Sequence, residues 1–242
     1  MLMNELLDSL FDGQAHALIS SMTDWLASSR RFAAFVNTHR DKIRKKLRTI
    51  RDSESLLDLR LELETAYLLL RERTLNLAYE LQPAGQSGRT RAPDYAVTYT
   101  TSFTFMVEVT RIRSDLERNA AQHSNPEERI AETICGKLVQ LLPQRSNVLI
   151  IGVESLTVSQ TDLQAMMLRI KQRAEHNDPA FFKRLHFRDR ATFFTHYQRL
   201  SEVIVRGSGV PASNAFVAGV NPQSKYTLPA RVRTALHRSH DA

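Results

Sequence analysis

The rhythm of apolar and polar positions changes along this chain, and the changes mark its elements. Through residue 50, apolar residues recur three or four positions apart, in Leu6, Leu7, Leu10 and Phe11 and again in Phe32, Phe35 and Val36. That spacing lines one side of a helix. Asp12-Gly13 is a natural break, and nothing in the stretch alternates like a strand. Residues 1–50 are therefore predicted to form an N-terminal helical region. Its apolar stripes need a covering surface, which makes a homodimer an expected assembly. A further helix is predicted over residues 53–73. Ser53 is its N-cap, and Leu56, Leu59, Leu63, Tyr67 and Leu70 form its apolar stripe.

The period then shortens to two. Leu75, Leu77 and Tyr79 alternate with polar or small residues, and two more strands are predicted at 95–100 and 103–110. Asn125-Pro126-Glu127-Glu128 opens a helix that runs to Leu142, ahead of Pro143. Val148 to Val153 form a continuous apolar run, as expected of a strand covered on both faces. A helix over 160–174, a Phe-rich core segment from Phe181 to Phe194, strands at 201–206 and 215–220 and a terminal helix over 229–238 complete the reading. This order predicts an α/β domain over residues 51–242, a mixed central β-sheet flanked by helices.

Composition narrows the partners. With 242 residues, 42% of them hydrophobic, the chain is able to bury a substantial core. No apolar run reaches the roughly 18 residues of a membrane span, so no membrane association is expected. Glu5 and Asp8 interrupt the apolar N-terminus, which argues against a secretory leader. The single cysteine, Cys135, excludes an intrachain disulfide and a Cys-based zinc site, and reads as a small core residue. A cytoplasmic location is the expectation. Net charge is +7 with a pI near 9.8, which favours a polyanion, with nucleic acid the usual candidate; charge does not separate DNA from RNA, and DNA is the expected polymer. The densest basic run is Arg40, Lys42, Arg44, Lys45, Lys46, Arg48 and Arg51, whose plainer reading is a solvated helix face. Arg89 and Arg91 lie in a loop with Pro83, Gly85 and Gly88, and are candidate phosphate contacts. Neither a GxxxxGK[ST] phosphate loop nor an HExxH pattern occurs.

Candidate chemistry lies in Pro93-Asp94-Tyr95 and, fourteen residues after Asp94, in Glu108-Val109-Thr110. Alternation puts Tyr95, Val97, Tyr99, Phe103, Phe105, Val107 and Val109 on one face of a hairpin, and Asp94, Glu108 and Thr110 on the other. A three-residue turn at Thr100–Ser102 sets Asp94 across from Glu108, where paired residues have Cβ atoms about 4.5–5.5 Å apart. Two carboxylates that close repel unless a cation lies between them, and hard oxygen donors suit Mg²⁺ or Mn²⁺. A different register would disperse the acids over an exposed hairpin with no site.

An acid-bearing helix, a strand, a hairpin entered through Pro-Asp, an acid followed two residues later by a polar side chain, then a helix and a buried strand resembles the PD-(D/E)XK nuclease superfamily. The resemblance spans about residues 53–155. It implies a restriction-endonuclease-like core and hydrolysis of phosphodiester bonds. It also implies metal ligation by Asp94 and Glu108, with help from the Val109 carbonyl and an acid on the first helix, Glu62 or Glu64, of which Glu62 lies nearer the edge of the stripe. The sequence departs from the family where its lysine belongs, because that position is Thr110. Threonine can bind a water but carries no charge. Lys137, on the following helix, is the candidate replacement, with Gln140 on the same side. A metal-bound water network is the other. Arg111 is a further candidate nucleic-acid contact, although alternation turns it to the opposite face from Glu108. The Thr110 substitution equally suits a catalytically inactive, nuclease-like module for binding nucleic acid or protein. A helical coat or scaffold protein with no site is a third class.

Overall fold

The computed structural model describes residues 3–80, 92–113, 125–155, 157–208 and 215–241. The N-terminal region is four short helices rather than one long run: α1 (Met3–Phe11), α2 (Ile19–Ser28), α3 (Arg30–Thr38) and α4 (Arg40–Thr49). The breaks have local causes. Asp12 and Gly13 adopt left-handed backbone, with φ of 54° and 68°, which ends a helix. Ser29 leaves the helical region, and its hydroxyl accepts a hydrogen bond from the Phe32 N–H at 3.2 Å, capping α3. Helix α5 (Ser53–Arg71) follows. Its N-cap is Asp52, one residue before the position expected, because the Asp52 carboxylate accepts from the Ser55 N–H at 2.7 Å.

The remaining elements are β1 (Leu75–Tyr79), β2 (Tyr95–Tyr99), β3 (Phe103–Arg111), α6 (Pro126–Lys137), β4 (Asn147–Val153), α7 (Gln160–Glu175), α8 (Pro179–Arg184), α9 (Arg190–Tyr197), β5 (Leu200–Gly207), β6 (Phe216–Val220) and α10 (Ala230–His240). Helix α6 stops at Lys137, short of the expected Leu142, and passes into a 3-10 turn over Leu138–Gln140. The α8 and α9 helices occupy the Phe-rich segment that had no predicted element. They are capped by Asp178 and Asp189, and at six and eight residues they are too short for a helical period to register.

The six strands form one mixed sheet in the order β1-β2-β3-β4-β5-β6. The β1–β2, β2–β3 and β5–β6 pairs are antiparallel, while β3–β4 and β4–β5 are parallel. Both faces are covered, which explains why all seven residues of β4 are buried. One face packs against α1–α5 and α10 through Phe32, Phe35, Leu63, Tyr95, Phe105 and Val107. The other packs against α6–α9 through Ile134, Leu149, Ile151, Phe193 and Val203. The N-terminal helices thus share one hydrophobic core with the sheet. Their stripes are covered within the chain, with Phe32, Val36 and Ile43 at 0% exposure, so they do not call for a second copy.

The outer edge of β1 is engaged at its two ends, Leu75 and Tyr79. Arg31 donates to the carbonyls of Leu70 at 2.8 Å, Glu72 at 2.7 Å and Leu75, and Lys42 reaches the Tyr79 carbonyl at 3.5 Å. Among the described residues, no helix is long and apolar enough to cross a membrane.

Candidate functional site

The β2–β3 hairpin sets the geometry. Tyr99 pairs with Phe103 and Tyr95 with Val107, which leaves Thr100–Ser102 as the turn. One step beyond the Tyr95–Val107 pair, the same register places Asp94 across from Glu108. The Asp94 carboxylate accepts the Val109 N–H through Oδ2 at 2.7 Å. Glu108 faces the α6 side of the sheet, paired along β4 with Leu149. Asp94 and Glu108 are only 6% and 5% exposed. Burial pushes the Asp94 carboxyl up to about 7, and the charges of Glu108 and Glu62 push the same way against the Val109 hydrogen bond and Lys46.

Helix α6 brings Lys137 to this pair. Its ammonium donates to Glu108 Oε1 at 2.9 Å and to Gln140 Oε1 at 3.1 Å. The 3-10 turn that follows α6 is what places Gln140 beside it. Thr110 lies one pleat beyond Glu108 on the same face, opposite Ile151. It is partly buried.

Glu62 and Glu64 diverge. Glu62 Oε1 accepts from Lys46 Nζ and from the Tyr79 hydroxyl, each at 2.6 Å, and the Glu62 backbone carbonyl accepts from the Tyr95 hydroxyl at 2.8 Å. Lys46 also pairs with Glu80 at 2.6 Å. Burial alone would lower the Lys46 ammonium, but Glu62 and Glu80 outweigh it and the group ends raised. Burial, then Glu62, raises the Tyr79 phenol. Glu64 instead pairs with Arg206 at 2.8 Å in the interior beyond the site.

Two expectations change. Glu62 does not join Asp94 and Glu108 as a third ligand. It is held by Lys46 and Tyr79, and among the described residues no group of three His, Cys, Asp or Glu side chains could hold an ion. Arg111 is not presented to a polyanion. Its side chain is 4% exposed and is engaged by Glu54 and Asp58 on α5. Arg89 and Arg91 lie outside the described residues.

Lys46, Tyr79 and Glu80 were not singled out from the sequence. The only signal for Lys46 was its place in the basic run of α4. A cleft of about 220 Å³ between α6, α7 and α8, lined by Glu132, Cys135, Arg173 and Arg184, lies apart from the acid pair. Most of its charges are paired, Arg184 with Glu132, Arg173 with Asp178 and Arg169 with Glu127. The chain matches no family model, no characterised protein and no solved structure.

Proposed function

We propose that this protein is a divalent-metal-dependent hydrolase of phosphodiester bonds in nucleic acid, built on a restriction-endonuclease-like core. The observation that carries the reading is the meeting of Asp94 and Glu108 across the hairpin with the Lys137 ammonium 2.9 Å from Glu108. The order α5, β1-β2-β3 meander, α6 and then β4 parallel to β3 supports it, because the resemblance implies that order.

The donor set fits Mg²⁺ or Mn²⁺. Asp94 Oδ2 and Glu108 Oε1 are engaged, and among the described residues Asp94 Oδ1 and Glu108 Oε2 accept no hydrogen bond. Mg²⁺ takes one or two protein carboxylates and fills its shell with water and substrate phosphate. When bound, such an ion polarises a phosphoryl oxygen and makes a water more acidic. The chain's own residues do the rest. The Val109 N–H fixes the Asp94 rotamer. Gln140 orients Lys137, whose ammonium brings to this face the positive charge that Thr110 lacks, and can stabilise negative charge building on phosphate oxygens.

A specific observation favours a second reading, an inactive nuclease-like binding module. Lys137 is bonded to Glu108 itself, and Lys46 to Glu62. Acids already neutralised by lysines need no metal. Calorimetric titration with Mn²⁺ and a duplex-cleavage assay separate the two readings. The hydrolase reading expects heat at millimolar Mn²⁺ or below, no cleavage by Asp94→Ala, and cleavage slowed roughly a hundredfold in Lys137→Met. Wild-type cleavage by Asp94→Ala, or no Mn²⁺ binding, overturns it.

A further inference from the structure

We infer that the lysine strip of α4, made of Lys46, Lys42 and Lys45, is the surface along which the nucleic-acid backbone approaches the acid pair. The inference rests on the hydrolase reading above and gives it a docking face. With Arg111 buried against Glu54 and Asp58, phosphate contacts on the described surface must come from another element.

Helical spacing sorts the α4 side chains into three sides. Ile43 and Leu47 enter the core. Arg44 and Arg48 turn to Asp12, which takes both guanidinium groups. Lys46, Lys42 and Lys45 form the remaining strip. Its inner end is at Glu62, the α5 acid 2.6 Å from Lys46, and the charges of both residues reach Asp94. Lys42 is 51% exposed, with its closest carboxylate, Glu80, at 4.0 Å. Lys45 is exposed, and among the described residues it has neither an ion pair nor a hydrogen bond. The strip therefore runs from neutralised charge at the acid cluster to unspent charge in solvent. Lys42 and Lys46 also lie 5.7 Å and 4.8 Å from the Tyr79 ring centroid, which ties the strip to β1. Lys46 and Lys137 then bring positive charge to the acid cluster from two different helices.

The test is binding of short labelled DNA and RNA duplexes in EDTA, and again with Ca²⁺, by the full chain and by Lys42→Gln/Lys45→Gln. A control of equal charge, Lys183→Gln/Lys225→Gln, alters exposed lysines elsewhere. The α4 variant is expected to bind about tenfold more weakly, with the salt dependence between about 50 and 200 mM flattened by about two counterions, while the control changes less than twofold. The DNA and RNA arms identify the polymer. Equal losses in the two variants overturn the inference and leave the acid pair untouched. No duplex binding by the wild-type chain overturns both. Duplex binding through α4 by a chain that takes up no Mn²⁺ keeps this surface and removes the hydrolase reading.

Discussion

Two buried charged clusters meet this sheet, and Glu62 and Glu64 of α5 enter one each. In the cluster around Glu62, four carboxylates (Glu62, Glu80, Asp94 and Glu108) meet three lysines, Lys46, Lys137 and, at the 4.0 Å limit, Lys42. Under α10, Glu64 pairs with Arg206, and Glu202 is met by Arg233 at 3.3 Å and by His237. There each carboxylate is matched by an arginine. Matched, dry ion pairs fix how elements pack. In the first cluster burial and the neighbouring acids instead raise one carboxyl, that of Asp94, toward neutral pH. On the proposed hydrolase reading, the difference between the clusters is one between holding the fold and taking a ligand.

Breaking the matched cluster should cost the most. Arg206→Met leaves Glu64 buried without its partner, and stability measured by urea unfolding should fall by about 3–5 kcal/mol. Mn²⁺ affinity of the folded protein should not change.

The acid-rich cluster should respond in the opposite sense. Because the folded Asp94 carboxyl is raised to about 7, the unfolded chain ionises first. This group's contribution to metal-free stability is therefore lost as pH rises from its unfolded value toward 7. Asp94→Asn should stabilise the metal-free protein by about 2–3 kcal/mol at pH 8 and by almost nothing near pH 4. Saturating Mn²⁺ should reverse the ranking by stabilising only the wild type. Thermal unfolding at the two pH values, with and without metal, reads both effects. A wild-type chain more stable than Asp94→Asn at pH 8 without metal would show that the acid excess is not felt there.

The smallest effect belongs to His240. It is buried, with neither ring nitrogen hydrogen-bonded among the described residues, and it lies against the Phe216 ring at 5.5 Å. Burial, then the charges of Arg206 and His237, pushes its imidazole down to about 3. A histidine held neutral in this way destabilises the fold as pH falls below its unfolded value, because the unfolded chain takes the proton first. His240→Leu should recover about 1–2 kcal/mol at pH 5 and leave stability at pH 8 nearly unchanged. Parallel losses for both proteins between pH 8 and 5 would contradict it.

Much of the frame was legible in the residues. Alternation and turn length together placed Asp94 across from Glu108, and the three-residue turn predicted at Thr100–Ser102 is the one observed. The unbroken run Val148–Val153 announced a strand covered on both sides, as β4 is. The rest depended on contacts distant in sequence, which periodicity does not carry. Local sequence separates Glu62 from Glu64 only by nearness to the edge of the apolar stripe. Their fates are set by Lys46, sixteen residues before Glu62, and by Arg206, 142 residues after Glu64. The basic run of α4 likewise concealed three destinations that only the packed neighbours reveal.

The side chains of Arg31 and Lys42, which reach the outward carbonyls at the two ends of β1, Leu75 and Tyr79, have a bearing on how the chain can be cut. A fragment starting at residue 51 would keep every strand, yet lose those contacts together with Phe32, Phe35 and Ile43 from beneath the sheet. Its bare rim would be a template for pairing with other molecules. Such a fragment is expected to aggregate more readily than the full chain, as light scattering of the two would read. The first fifty residues thus cover one face of the sheet and part of its β1 rim.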